Sequence, residues 1–67
     1  MAKIQLNGKK ISIKLNFSLQ DLLKKYKLIN KKIAIEYNGV IIPKISFKKI
    51  YLKNNDKIEI VHFIGGG

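Results

Sequence analysis

The 67-residue sequence contains no cysteine, no arginine and no long apolar run. Without cysteine the chain has neither a disulfide nor thiol chemistry of its own, so any sulfur that it handles must come from a partner. No segment approaches the roughly 20 apolar residues that span a bilayer, and residues 1–5 lack the apolar core of a secretory signal. We therefore expect a cytoplasmic protein without a membrane partner.

Negative charge is also scarce, since four acidic residues stand against 14 basic ones and the formal net charge is +10. Such a charge suggests nucleic acid or an anionic surface as a partner. However, every basic residue is lysine, which lacks the two-point phosphate grip of arginine, and no aromatic residues interleave with the lysines to stack on bases. We favour the interpretation that the lysines form a solvated surface. Electrostatic steering towards acidic proteins is the second interpretation, and a small nucleic-acid-binding domain is the last.

Catalytic groups are few. A chain of this size forms one small domain that buries only about 60% of its unfolded surface, which leaves no room for an enclosed active site. His62 is the only histidine, and the four carboxylates are scattered. No metal cluster, catalytic triad or acid–base pair is predicted, so the protein is not expected to be an enzyme or to bind a metal or cofactor.

Strand patterns are well represented. Asn7-Gly8 and Asn38-Gly39 each interrupt apolar–polar alternation, which predicts two hairpins with tight turns at residues that tolerate positive φ. Pro43 ends the second hairpin because proline cannot donate to a central ladder. Strand-like segments occur at residues 3–6, 10–15, 33–37, 40–42 and 57–64.

One helix is predicted after the first hairpin. Ser18 and Asp21 have the spacing of a capping box, and an apolar stripe follows at helical spacing. Residues 44–53 show no clear period and are interpreted as a loop with one tight helical turn, and residues 54–56 are a turn. The residues of the stripe are Leu19, Leu22, Leu23 and Tyr26.

Strand parity divides the last strand into two faces. Ile58 and Ile60 are predicted to lie in the core, so Val61 and Phe63 point to the opposite face, which meets solvent if one helix covers the sheet. Exposed apolar side chains beside each other often mark partner sites. The other predicted core residues are Ile4, Leu6, Ile11, Ile13, Leu22, Leu23, Ile35 and Tyr37.

The sequence closes on Gly65, Gly66 and Gly67. Glycine has no Cβ, so these residues are expected to form a flexible tail after a domain of residues 1–64. Extended, the tail reaches roughly 10 Å beyond the last strand. Its reactive group is the carboxylate of Gly67.

The order of elements and the glycine end resemble the ubiquitin-like β-grasp fold, an α+β class with a mixed sheet of four to five strands and one main helix packed across one face. Residues 36–39, 42–44 and 55–67 closely resemble the ThiS family, the small sulfur carriers of thiazole formation in thiamin biosynthesis. The sequence departs from many relatives at Asn55-Asp56, where they have Gly-Asp, but both pairs suit a turn.

The resemblance implies a function and partners. In the family a ThiF-type adenylyltransferase uses ATP to activate the terminal glycine, here Gly67. Sulfur from a persulfide, supplied by a cysteine desulfurase or another donor, displaces AMP, and the thiocarboxylate donates sulfur to a thiazole synthase. A β-grasp sheet also places its last strand beside the third, so Ala34 and Ile41 are expected near Val61 and Phe63 in a partner-binding patch. A sulfur carrier of molybdopterin synthesis and a protein-modifying ubiquitin-like relative are the alternatives.

Overall fold

The computed structural model describes residues 1–62, which form a mixed sheet with one main helix, as the sequence predicts. A short 3₁₀ helix, Lys44–Lys49, lies between the fourth and fifth strands. The other elements are β1 (Ala2–Leu6), β2 (Lys9–Ile13), α1 (Leu19–Lys25), β3 (Ile33–Tyr37), β4 (Val40–Ile42) and β5 (Lys57–His62).

The five strands have the order β2-β1-β5-β3-β4. Neighbouring strands are antiparallel except β1 and β5, which run parallel and pair at Gln5 with Lys57 and at Leu6 with Ile58. The last of these strands is therefore central, between the two hairpins.

Both predicted hairpin turns are confirmed. Asn7 and Gly8 have φ angles of 48° and 83°, and Asn38 and Gly39 have 50° and 86°. Two successive positive φ angles match the twist of the flanking strands, and asparagine and glycine are the residues that adopt them at least cost. The turns thereby set the register of both hairpins.

The capping box is also confirmed. The Asp21 amide donates to Ser18 Oγ and the Ser18 amide donates to Asp21 Oδ2, each at 3.0 Å. The hydrogen bond from the Ser18 amide is the main reason why the pKa of Asp21 lies below its ordinary value. Asp21 therefore has a structural role at the start of α1.

Three sequence-based expectations were wrong. Tyr26 is 42% exposed because α1 ends at Lys25 and Lys27 turns the chain with φ 59°, before the fourth stripe position can face the sheet. The strand predicted at residues 10–15 ends at Ile13, and Leu15 beyond it is 69% exposed. Residues 44–53 also hold more regular structure than one tight turn, namely the six-residue 3₁₀ helix.

The core lies between the sheet and the two helices. Ile58 and Ile60 are buried in it as parity predicts, at 1% and 8% exposure. Leu6, Ile11 and Tyr37 pack against the core but are only partly buried. The remaining buried apolar residues are Ala2, Ile4, Ile13, Leu19, Leu22, Leu23, Ile35, Phe47 and Leu52.

Within residues 1–62, neither helix has the length and apolar character needed to cross a bilayer.

Candidate functional site

The candidate site is the end of β5 that leads to the glycines. The predicted tail residues Gly65, Gly66 and Gly67, and the predicted contact residue Phe63, lie outside the described residues. The boundary between domain and tail therefore stays a prediction. What the structure describes is the strand that carries this segment and the surface around its end.

Val61 lies on the face of the sheet opposite the core. It is 57% exposed, whereas the preceding Ile60 is 8% exposed. Ala34 lies directly opposite Val61 in the register of β3 and β5. The structure thus brings these two predicted contact residues together, on a face that no element among residues 1–62 covers.

Ile41 shares that face but does not lie beside Val61. It is 64% exposed and lies directly opposite Glu36 in the pairing of β3 with β4. The strand β3 separates it from β5, so Ile41 lies diagonal to Ala34. The predicted patch is therefore Val61 with Ala34, and Ile41 at its far corner.

Sequence reasoning missed the two carboxylates next to this patch. Glu36 and Glu59 lie directly opposite each other in the pairing of β3 with β5. Directly opposite residues of a sheet have Cβ atoms about 4.5–5.5 Å apart. The parity of the two strands and their expected adjacency would have revealed this pair, because both glutamates lie two residues from a predicted patch residue on the same strand.

The other end of β5 is held by the side chain of Asp56, which is 5% exposed. Asp56 Oδ2 accepts from the Tyr37 hydroxyl and from the Lys53 amide, both at 2.8 Å. Asp56 Oδ1 accepts from Asn38 Nδ2 at 3.1 Å, and Asn38 Oδ1 accepts in turn from the Lys57 amide at 2.7 Å. These bonds, here called the Asp56 network, tie the turn of the second hairpin to the start of β5.

The Asp56 network shifts two pKa values. Burial raises the pKa of Asp56, but the hydrogen bonds from Asn38, Lys53 and Tyr37 together outweigh burial, and the pKa lies below its ordinary value of 3.8. Burial, followed by the hydrogen bond and the charge of Asp56, raises the pKa of Tyr37 to about 12. The network is thus an ionised carboxylate held by neutral donors at neutral pH.

Asn7 supports β5 at its middle. Besides forming the hairpin turn, it accepts a hydrogen bond from the Ile60 amide through Oδ1 at 2.7 Å. The Asn7 amide donates to the Ile58 carbonyl at 2.9 Å. The side chain therefore continues the pairing of β5 beyond the last residue of β1, up to the residue before Val61.

No group of three or more histidine, cysteine, aspartate or glutamate residues among residues 1–62 is arranged to hold a metal ion. The described part of the site offers a central, paired strand and an exposed surface for recognition. The four side-chain carboxylates of the chain lie in the cap of α1, in the Asp56 network and in the Glu36–Glu59 pair.

Comparisons with known proteins identify close relatives. A sequence model of the ThiS family matches residues 3–67. The chain is 46% identical over 65 residues to the sulfur carrier protein ThiS of Bacillus subtilis, an alignment that covers 96% of this chain and 98% of the relative. It is 35% identical over 65 residues to a thiazole synthase of Paramagnetospirillum magneticum, covering 97% of this chain but 20% of that longer protein.

The fold has a solved counterpart. The crystal structure of the thiamine biosynthesis protein (ThiS) of Geobacter metallireducens matches with a TM-score of 0.82 at 25% identity, covering 97% of this chain and 99% of the other. This match confirms the ubiquitin-like β-grasp architecture expected from the order of elements.

Proposed function

This chain belongs to the ThiS family, whose members are sulfur carriers and not catalysts, and we propose that it carries sulfur for thiamin biosynthesis as a thiocarboxylate on Gly67. The observation that carries the proposal is the family match, which extends to residue 67 and so includes all three glycines. The family model and the relatives described above do not favour the alternatives of a molybdopterin carrier or a nucleic-acid-binding domain.

Activation must come first, because a carboxylate resists nucleophilic attack that would add charge to an already anionic group. In the proposed cycle the Gly67 carboxylate attacks the α-phosphorus of ATP, and pyrophosphate leaves. The product is an acyl-adenylate, in which AMP is a good leaving group. A ThiF-type adenylyltransferase catalyses this step, so ATP binds to the partner and not to this chain.

Sulfur enters in the second step. The terminal sulfur of a persulfide attacks the acyl carbon, and AMP leaves with the bonding electron pair. A thiol then cleaves the sulfur–sulfur bond of the resulting acyl disulfide, which releases the thiocarboxylate and oxidises the two remaining sulfurs to a disulfide. The absence of cysteine from this chain assigns every thiol in the sequence of steps to a partner. Glycine suits the reaction because no side chain crowds the tetrahedral intermediate.

The partners follow from the chemistry. A cysteine desulfurase or another donor supplies the persulfide, and a thiazole synthase accepts the sulfur. The relative from Paramagnetospirillum magneticum supports this acceptor, since a protein named thiazole synthase contains a segment similar to this chain. The exposed Val61 and the partly buried Ala34, with Phe63 beyond the described residues, are proposed to contact these partners.

The test is an intact-mass measurement after incubation with the adenylyltransferase, ATP, a persulfide donor and a thiol. We expect the mass of the chain to rise by the difference between sulfur and oxygen. Deletion of Gly67, or its conversion to an amide, should abolish the mass change, while circular dichroism remains that of the unmodified fold. An unchanged mass for the original chain with partners of verified activity would contradict the proposal.

A second variant tests passage of the tail through a channel. Gly66→Val restricts the backbone and adds bulk, so it should slow adenylation more than it changes stability. An unchanged adenylation rate would show that the tail does not pass through a narrow channel.

A further inference from the structure

The face of the sheet opposite α1, here called the outer face, carries an ordered stripe along β5. Lys57, Glu59 and Val61 point outwards in turn, because Ile58 and Ile60 between them are buried. Alternate residues of a strand lie about 6.6–6.8 Å apart. A cation, an anion and an apolar side chain thus follow one another towards the end of the strand.

The four acidic residues divide into two classes. Asp21 caps α1 and Asp56 holds the Asp56 network, so both have structural partners. Glu36 and Glu59 form no ion pair or side-chain hydrogen bond with another of residues 1–62, although the chain has 14 lysines. The two carboxylates without a role in the fold lie directly opposite each other on the outer face.

This arrangement lowers the stability of the domain when no partner is bound. Like charges directly opposite each other in a sheet destabilise it, and a solvated surface would more simply pair each glutamate with a nearby lysine. The pair also adjoins the exposed Val61 and the partly buried Ala34, which are one row further along the same two strands. Charge and apolar surface therefore meet at one place, beside the end of β5.

We propose that the outer face docks on the adenylyltransferase, and that the Glu36–Glu59 pair receives a lysine or arginine side chain of that enzyme next to an apolar residue covering Val61 and Ala34. The inference rests on the proposed function. The adenylyltransferase is the partner that recognises the chain with Gly67 unmodified. An arginine fits best, since its planar fork can donate to both carboxylates at once.

The net charge of the chain makes this contact selective. At +10 the protein repels basic surfaces almost everywhere. The carboxylate pair is a local exception, so a partner cation has one favourable place to enter and docking in other orientations is disfavoured. Since the pair lies within one row of Val61, the contact directs the end of β5 towards the same region of the enzyme.

The experiment compares Glu36→Gln/Glu59→Gln with a control of equal charge change, Asn30→Lys/Ile45→Lys, whose positions are exposed and lie beside α1, away from the outer face. Binding to the adenylyltransferase is measured by calorimetry and adenylation by pyrophosphate release. We expect the glutamine variant to raise Kd and KM about tenfold or more with little change in kcat, and to weaken the dependence of Kd on salt. Its Tm should stay the same or rise, which a structural role for the glutamates would not produce.

The outcomes separate the two proposals. A glutamine variant that binds within about twofold of the original chain, or a control that loses equal affinity, overturns the carboxylate contact and leaves the carrier function standing. Loss of binding to a thiazole synthase alone overturns the choice of partner. Failure of the original chain to be adenylated overturns the proposed function, and this inference with it.

Discussion

The two ends of β5 are built differently. At its start the strand is bonded on both sides, since the Gln5 amide donates to the Asp56 carbonyl and Asn38 exchanges hydrogen bonds with Lys57. At its end Val61 and His62 pair with β3 alone, because the pairing with β1 stops at Leu6 and its turn. One end is fixed by buried polar groups, and the other presents exposed side chains.

The difference separates folding from recognition along a single strand. The fixed end sets the register of β5, and the register decides which side chains of the exposed end face outwards. A one-residue slip would place Ile60 on the outer face and Val61 in the core. The Asp56 network therefore affects recognition indirectly, because it holds the strand that carries the outward-facing side chains.

The variant with the largest expected effect unfolds the whole domain, so that both ends of β5 are lost together. Ile60→Asp places a carboxylate at a position that is 8% exposed, in the apolar core. Burial of an unpaired carboxylate costs several kcal/mol, which is comparable with the roughly 5–15 kcal/mol that stabilises a typical domain. We expect circular dichroism to show an unfolded chain at neutral pH, and a cooperative thermal transition would contradict the assignment of Ile60 to the core.

A second variant weakens the fixed end alone. Asp56→Asn keeps the size of the side chain but removes the charge that accepts from Tyr37, Asn38 and the Lys53 amide. Hydrogen bonds to a charged group contribute about 1.5–3 kcal/mol, so we expect a loss of about 2–3 kcal/mol in urea unfolding at pH 7. A loss below about 0.5 kcal/mol would show that the network does not hold β5.

The pH dependence of stability provides the control for this variant. Because the pKa of Asp56 is lower in the folded state than its ordinary 3.8, its contribution is present above about pH 4 and is lost as the pH falls through the folded value. The original chain should therefore approach the stability of Asp56→Asn in acid. The pKa of Tyr37, raised to about 12, adds a loss between about pH 10 and 12, where the unfolded state releases the proton first.

A smaller effect is expected at the middle of β5. Asn7→Gly keeps a residue that adopts the positive φ of the turn but removes the acceptor for the Ile60 amide. The loss should be about 1 kcal/mol, with faster amide hydrogen exchange at Ile60. Asn16→Gly is the matched control, because Asn16 also has a positive φ but no side-chain hydrogen bond within residues 1–62. Equal losses in both variants would assign the effect to the turn and not to the acceptor.

The smallest effect on stability is expected at the exposed end. Val61→Ser should change the free energy of unfolding by less than about 0.5 kcal/mol. It should weaken binding to the adenylyltransferase about tenfold, because burial of a valine side chain contributes about 1.5 kcal/mol. Val40→Ser is the control, since Val40 is similarly exposed, at 60% against 57%, but lies opposite Tyr37 on the other face. Equal binding losses would contradict the outer face as the docking surface.

The sequence predicted those parts of the fold whose signals are local. Asparagine–glycine turns, period-two strands and the Ser18–Asp21 cap each depend on a few consecutive residues. The expectation that Asn55 suits a turn was also correct, since its φ is 71°, in the region that favours asparagine or glycine. Such features need no knowledge of the rest of the chain.

The features that sequence reasoning missed depend on partners that are distant in sequence or, for the 3₁₀ helix, on a repeat that differs from those of α-helices and strands. Leu52 is buried, and its amide donates to the Phe17 carbonyl at 2.8 Å, which fixes the segment after the 3₁₀ helix against the residues that precede α1. The role of Asp56 depends on Tyr37 and Asn38, and nothing in its own turn signals those donors. The surface pair Glu36–Glu59 becomes visible only when two strands are aligned.

The strand order has a consequence for synthesis of the protein. Two hairpins, one from each half of residues 1–62, meet only through β5, which follows both of them in the chain. Because the parallel contact of Gln5 with Lys57 joins residues far apart in sequence, the sheet cannot close on a nascent chain that has yet to release β5. A polypeptide stalled before Lys57 therefore lacks the strand that joins the two hairpins.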